Sequence, residues 1–303
     1  MKVLVTGAHG MLGRNIVNAL FSKHVDVIAP SRDVLDLSDA AQVLLYLKLE
    51  RPCTVIHCAG KVGGIHSNIT APYDYFLKNL EVGISIIEAS RQCGVEKFVN
   101  IGSAAMYPSG PGERKVDDIL TGKLDDASEG YCLSKLSAAK MVEFCNRQFG
   151  TSYKTIIPCN LYGEYDSFDP NFSHMIPSVI RKIHNAKKEN SKCEIWGDGL
   201  ARREFMFAKD AANFIMHSLE NYDMLPMYTN LGVGEDFSIL EYHRVISKVI
   251  GYEGEFYHDL SKPVGAKSRT LDISAQVGMN WAPSFTLAEG IELTYRYFLN
   301  LIK

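Results

Sequence analysis

The chain has 303 residues, with 32 Lys and Arg against 35 Asp and Glu and a formal net charge of −3. That length suits two modest domains or one large α/β unit with an appendage, and the charge offers no basic field for nucleic acid or an anionic membrane. No apolar run is long enough to span a bilayer, and Met1–Gly7 is too short for a signal peptide and reads instead as a buried strand.

In chain order, Val3–Thr6 reads as a short apolar strand and Met11–Phe21 as a helix. Strand Val25–Ala29, helix Ala40–Leu49 and strand Thr54–Ala59 follow. Tyr73–Cys93 is a long amphipathic helix, Lys97–Gly102 a strand, Tyr131–Phe149 another long helix and Tyr153–Pro158 a strand. This alternation predicts a parallel sheet covered by helices on both faces, wound by right-handed crossovers into a Rossmann-type, doubly wound α/β fold. Beyond Tyr162 the pattern loosens. Aromatics, prolines and polar residues fill Gly163–His174, and Lys187–Lys192 reads as a charged, exposed loop. Met227–Leu231 is expected to return as a strand of the large sheet. Thr286 and Glu289 form a capping box before Ile291–Ile302. The predicted organisation is a cofactor domain over 1–165, with return segments at about 205–232, and a smaller C-terminal α/β substrate domain over 166–303.

Seven cysteines, at 53, 58, 93, 132, 145, 159 and 193, are scattered and include no Cys-x-x-Cys pair. They read as reduced cytosolic thiols acting as small hydrophobes, which implies a cytoplasmic protein. The nine histidines show no metal-ligand spacing, and no metal is expected.

Gly7-Ala8-His9-Gly10-Met11-Leu12-Gly13 stands between the first strand and the first helix. Gly7 permits the tight turn, Gly10 lets the backbone approach a phosphate, and Gly13 permits close helix–strand packing. The helix start then offers N–H groups to a dinucleotide pyrophosphate. At the end of the second strand, Ser31 and Arg32 favour the 2′-phosphate of NADP(H) over the plain ribose of NAD. Asp33 competes with that reading unless its side chain caps the next segment. Asp36 and Leu37 are expected near the adenine.

Tyr131 and Lys135 lie one helical turn apart. A phenol has a pKa near ~10, and a nearby cation lowers it, which makes tyrosine an acid for carbonyl chemistry. Ser103 follows the strand Val99–Gly102, where strand ends face the ligand crevice, and its hydroxyl is placed to hold the same carbonyl oxygen.

With these motifs the chain resembles the extended short-chain dehydrogenase/reductases of nucleotide-sugar metabolism, and within them the GDP-L-fucose synthase family of GDP-4-keto-6-deoxymannose 3,5-epimerase/4-reductases. The similar segments are Gly60-Lys61-Val62-Gly63-Gly64-Ile65, Gly102-Ser103-Ala104-Ala105-Met106-Tyr107-Pro108, Pro158-Cys159-Asn160-Leu161-Tyr162-Gly163, Ser173-His174-Met175-Ile176-Pro177 and Arg203-Glu204-Phe205. The resemblance implies a reductase triad of Ser103, Tyr131 and Lys135, with His174 as the epimerisation acid/base. It implies that Ala59, Gly60, Pro158, Asn160, Leu161 and His174 also line the cofactor site. Ser103 and Asn160 would face the substrate, while Trp196, Arg203, Lys182 and Arg269 would hold its guanine nucleotide and pyrophosphate. Without the resemblance, plain core is a serious rival reading of Trp196. The implied partners are a GDP-linked keto-sugar and a second copy of the chain, paired through Tyr73–Cys93 and Tyr131–Phe149.

One position departs from the family. Ala105 stands where the bifunctional members carry a cysteine that works with the histidine on both faces of the ketosugar. A methyl group transfers no proton. The expectation is therefore an NADPH-dependent C4-reductase of a GDP-linked 4-keto-6-deoxy hexose or heptose, with 3,5-epimerisation lost or badly impaired. Cys132 and Cys159 are the two thiols that might substitute, although neighbours on a helix point about ~100° apart, which turns Cys132 away from Tyr131.

Overall fold

A computed structural model describes residues 2–170, 173–262 and 269–303. The first half of the chain alternates as its apolar pattern alternates: β1 (Lys2–Thr6), α1 (Met11–Ser22), β2 (Asp26–Ile28), α2 (Ala40–Glu50), β3 (Thr54–His57), α3 (Ile65–Thr70), α4 (Pro72–Gln92), β4 (Lys97–Ile101), β5 (Gly112–Arg114), α5 (Glu129–Phe149), β6 (Lys154–Pro158) and β7 (Asn160–Tyr162). The strands are runs of Val, Ile, Thr and Phe short enough to be buried on both faces. The Asp39 carboxylate accepts from the N–H groups of Ala41 and Gln42, both at 3.0 Å, and so starts α2. Asp39, rather than Asp33, is thus the cap: Asp33 sits in an exposed turn well ahead of the helix start. Pro72 opens α4, where its missing N–H costs nothing, and Gly150 closes α5 in the left-handed conformation.

The second half contains α6 (Met175–Glu189), β8 (Cys193–Trp196), β9 (Arg202–Arg203), β10 (Phe205–Phe207), α7 (Ala208–Glu220), β11 (Tyr228–Leu231), β12 (Phe237–Ser238), α8 (Ile239–Ile250), β13 (Phe256–Asp259), β14 (Arg269–Leu271), α9 (Ser274–Gly278) and α10 (Leu287–Leu301). The charged stretch expected as a loop begins inside a helix. Lys187, Lys188 and Glu189 form the last turn of α6, which stops at left-handed Asn190. Nothing before that asparagine breaks the helix, and exposed lysines are good helix formers. The Thr286/Glu289 box is present and starts α10 at Leu287, one turn earlier than the apolar pattern indicated.

Six strands form one parallel sheet in the order β11-β6-β4-β3-β1-β2. Met227–Leu231 does return to it: β11 lies beside β6, with Tyr228 opposite Thr155. The winding reverses at β1, whose next strand in sequence lies on one side and β3 on the other. This is the switch point at which open α/β sheets bind ligands. Helices α1 and α7 pack against each other, as do α2, α4 and α5. Two cores result, one built on Val3, Val5, Ile16, Leu20, Ile56 and Phe214, the other on Leu4, Leu47, Ile86, Ile87 and Phe98. Each such side chain contributes about 1.5–3 kcal/mol on burial.

A third core gathers Tyr162, Ile176, Ile180, Ile183, Tyr242, Ile246, Ile291 and Phe298 from α6, α8, α10 and β7. Small sheets flank it. β13 runs parallel to β8, and β12 antiparallel to β9. β14 pairs in parallel with β5, which joins a late segment of the chain to one from its first half.

Among the described glycines, Gly13 sets the tightest approach to backbone atoms. A Cβ there would stand 2.1 Å from the Gly7 oxygen and 2.8 Å from the Ala8 Cα. Gly13→Ala is expected to force the turn open, lowering stability by about 1–3 kcal/mol and weakening dinucleotide binding. Thermal melting and an NADPH titration check this; a variant unchanged in both would show that the turn tolerates the methyl.

Candidate active site

The glycine turn lies at the switch point. Gly7 adopts φ +68°, and a Cβ on it would meet the Ala59 nitrogen at 2.6 Å, so the turn sits against the chain leaving β3. The Gly10 N–H donates to the Gly7 oxygen at 3.0 Å, and α1 begins with no side-chain cap and no acidic residue in its first turn. Its leading N–H groups remain available to an anion. His9 and Gly10 are exposed, Met11 and Leu12 half-buried and Gly13 buried. These residues fit a dinucleotide pyrophosphate. Arg32 is exposed, beyond the end of β2, and its charge helps hold the Asp36 carboxyl low, after the hydrogen bonds from Ser38. Asp36 is thus engaged with Ser38, and the Leu37 side chain is buried in the second core.

Ser103 follows β4 and starts a short 3₁₀ turn, accepting from the Ala105 N–H at 3.2 Å. Tyr131 comes from the first turn of α5 and faces that serine. Burial pushes the phenol up to about 12, opposed by its hydrogen bond with Ser103. The expected lowering by Lys135 is absent, because the ammonium points elsewhere and desolvation dominates. At neutral pH the phenol therefore carries its proton. Lys135 is buried and donates to the Ile101 oxygen at 3.0 Å, and burial lowers it to about 8. It stands against Gly60, where a Cβ would meet the Asn79 Oδ1 at 2.8 Å and the Lys135 Nζ at 3.5 Å. The ends of β3 and β4 and the first turns of α5 thus converge on one crevice.

Asn79 is a participant the motifs did not disclose. Its Oδ1 accepts from the Lys61 N–H at 2.7 Å and its amide donates to the Lys61 oxygen at 3.0 Å, fixing the Gly60–Gly64 loop. A buried asparagine on the inner face of an apolar helix was the available signal. His57, at the end of β3, bonds Thr6 Oγ1 through Nδ1 at 2.8 Å and is held neutral by burial, at about 3. His174 caps the start of α6, where burial lowers its ring below the usual histidine value. The same loop region approaches Gly64, whose Cβ position lies 3.8 Å from the Ser173 oxygen. Pro158 ends β6, and Leu161 and Asn160 lie in β7, with the Asn160 amide donating to the Glu204 oxygen at 2.9 Å.

Ala105 lies in the 3₁₀ turn beside Ser103. Both of the thiols expected as possible substitutes are buried. Cys132 is buried with its sulfur 3.4 Å from Ser128 Oγ, and burial raises its pKa. Cys159 is buried in the first core, its thiol directed at the Asn160 oxygen and pushed well up by burial and the charge of Glu204.

The residues expected to hold a nucleotide form two groups. Trp196 is 51% exposed at the end of β8, so the core reading fails. Its indole N–H donates to Glu194 Oε2 at 2.7 Å, and Lys182, paired with the same carboxylate at 2.8 Å, lies 4.9 Å from the ring centre. Arg203 and Arg269 form a separate group with Arg114, which the sequence did not single out, and Asp125. Glu204 supports this group from beneath. Its carboxylate accepts from the N–H groups of Val233, Gly234 and Leu271 at 2.6, 2.9 and 2.8 Å.

A dinucleotide turn at the switch point, with a serine, tyrosine and lysine beside it, defines an extended short-chain dehydrogenase/reductase. The family model described as "NAD dependent epimerase/dehydratase family" matches residues 3–234, and the chain belongs to that family. It is 45% identical over 303 residues to the GDP-L-colitose synthase of Yersinia pseudotuberculosis, covering 99% of this chain and 98% of that one. It is 41% identical over 300 residues to the GDP-L-fucose synthase of Azorhizobium caulinodans, covering 98% and 96%. A solved GDP-mannoheptose C4 reductase of Campylobacter jejuni with NADP bound has a TM-score of 0.89 and 28% identity, over 98% of each chain.

The buried ammonium has a stability consequence. The folded pKa of Lys135, about 8, lies below its ordinary 10.5. Keeping the charge out of water therefore costs stability fully below pH 8, and the cost fades as pH rises towards the unfolded value. Lys135→Met is expected to melt ~2–5 °C higher than the parent at pH 7, with the gap narrowing above pH 8. Scanning calorimetry across that range checks it; a lower melting point at pH 7 would mean that the Ile101 bond outweighs desolvation.

Proposed function

We propose that the protein is an NADPH-dependent C4-reductase of a GDP-linked 4-keto-6-deoxy sugar, hexose or heptose, in nucleotide-sugar biosynthesis, with 3,5-epimerase activity lost. The reading rests on one juxtaposition: a protonated Tyr131 phenol joined to Ser103 beside a glycine-cradled dinucleotide site, in a chain with alanine at 105. The names and bound NADP of the similar proteins support the nucleotide, the ketosugar and the cofactor. Residues 1–165, with the return segments near 205–232, would hold the cofactor, and 166–303 the GDP-sugar.

When bound, NADPH supplies hydride to the carbonyl carbon. Ser103 and Tyr131 receive the carbonyl oxygen between their hydroxyls, and Tyr131 gives it a proton as negative charge develops. Lys135 holds the ribose side of the crevice and orients the ring beside the phenol. Ser31 and Arg32 take the 2′-phosphate. Inversion at C3 or C5 would need one group to remove a proton and another to return it on the opposite face. Ala105 offers none, and Cys132 and Cys159 are turned into the protein.

The second reading is a bifunctional 3,5-epimerase/4-reductase of the GDP-L-fucose synthase type. His174 favours it, since burial keeps the ring neutral near pH 7, with a lone pair free to accept a proton. Incubation with NADPH and GDP-4-keto-6-deoxymannose in heavy water separates the two. Loss of NADPH absorbance without deuterium at C3 or C5 is the expected result, and deuterium at either carbon selects the second reading. No NADPH consumption with any GDP-4-keto sugar would end both. Tyr131→Phe should lower the rate by ~10²–10⁴ with near-parental NADPH affinity; near-parental turnover would remove Tyr131 as the proton donor.

The molecule is also proposed to be a homodimer through α4 and α5, on which Tyr73, Ile84, Leu133 and Phe144 are exposed. Light scattering at micromolar concentration is expected to give twice the chain mass, and charged replacements at Ile84 and Leu133 to halve it. A parent of single-chain mass would reject the dimer.

A further inference from the structure

We infer that Arg114 is a substrate-binding residue, the third cation of an arginine cluster that receives the diphosphate of the nucleotide sugar. The inference rests on the GDP-sugar reading above and deepens it, since the sequence singled out Lys182, Trp196, Arg203 and Arg269 for the nucleotide but not Arg114. The three arginines come from three strands. β14 pairs with β5 in parallel, setting Leu271 opposite Arg114 and Arg269 opposite Gly112, and β9 supplies Arg203. Charges in this group press on one another. Arg269 depresses the basicity of both Arg114 and Arg203, in each case after burial, which is the larger cause.

Asp125 pairs with Arg269 at 3.1 Å. Asp236 and Asp125 both act on Arg203. Arg114 has no carboxylate within ion-pair distance among the described residues; Asp118, the opposing charge that reaches it, is used by the Lys115 N–H at 2.8 Å. Arg114 gives one Nη2 bond to the Gly110 oxygen. Its Nε, like that of Arg269, is buried with no partner among the described residues. Half-buried guanidinium groups with unused donors and mutual repulsion are stabilised by an anion, and guanidinium forks suit phosphate oxygens two at a time.

The position of Arg114 is fixed in advance. Its carbonyl accepts from the Asn230 amide and from the Asp272 N–H, both at 2.9 Å, and Asn230 is itself held by the buried Tyr107 hydroxyl at 2.5 Å. The cluster also lies on the flank of the reaction site. Asp125 precedes the turn that leads into α5, and the thiol of Cys132, next to Tyr131, feels both Asp125 and Arg269. A diphosphate seated on the arginines would place the attached sugar beside the phenol, as a nucleotide sugar requires.

Calorimetric titration of the full chain with GDP and with guanosine tests the assignment. Arg114→Gln is expected to weaken GDP about 10–100-fold, leave guanosine and NADPH affinities unchanged, and flatten the salt dependence of GDP binding. Arg114→Met, which keeps the apolar stem, serves the same purpose if the glutamine variant melts early. Parental GDP affinity in either folded variant overturns the inference while leaving the reductase intact. A parent that binds NADPH but not GDP overturns the nucleotide-sugar reading and this inference together.

Discussion

The ammonium of Lys135, held out of water against the Ile101 carbonyl, is the constraint around which the site is assembled. One charge in a parallel sheet needs a polar contact at a strand end, and the ends of β3 and β4 provide it at the switch point. Gly60 must lack a side chain for Asn79 to fit beside the ammonium, and Asn79 in turn pins the Gly60–Gly64 loop. Ser103 follows β4 and Tyr131 precedes Lys135 by one helical turn, so the backbone that places the cation also places the two hydroxyls. The dinucleotide turn abuts the same region through Gly7 and Ala59. The glycine turn, the phenol and the buried cation are thus consequences of a single packing arrangement.

Electrostatics in that crevice follow burial more than charge pairing. Tyr131, Cys58 and Cys132 are all raised, and His57 and His174 lowered, with desolvation the leading cause throughout. A medium of this kind keeps acids protonated and bases neutral, a suitable resting state for delivering a proton to a ketone. The Lys135 ammonium, at about 8, and the guanidinium groups on the flank are the exceptions, the latter because arginine retains its charge under desolvation.

Much of this was legible beforehand, and the physical reason differs by feature. The sheet strands announced themselves as short β-branched runs, and the return of Tyr228–Leu231 did so as well. The glycine turn and the Tyr131/Lys135 spacing are local patterns whose geometry is fixed by one strand end or one helical turn. What stayed hidden depends on contacts remote in sequence. Arg114 sits after a Gly-Pro-Gly stretch with nothing to mark it, and becomes meaningful through the pairing of β5 with β14. Glu204 was read with its neighbouring arginine, but its three N–H partners arrive from Val233, Gly234 and Leu271. The phenol's direction of shift was misread because spacing along a helix reports proximity, not burial.

The strand pairings carry a consequence for inheritance. β11 closes the large sheet from late in the chain, and β14 reaches back to β5. Early and late segments are interlaced, so no single cut yields two self-sufficient pieces. Trading the later half with a relative would import foreign partners for β5 and β6 along with any new specificity. Divergence in this architecture is accordingly channelled into point changes on a preserved weave.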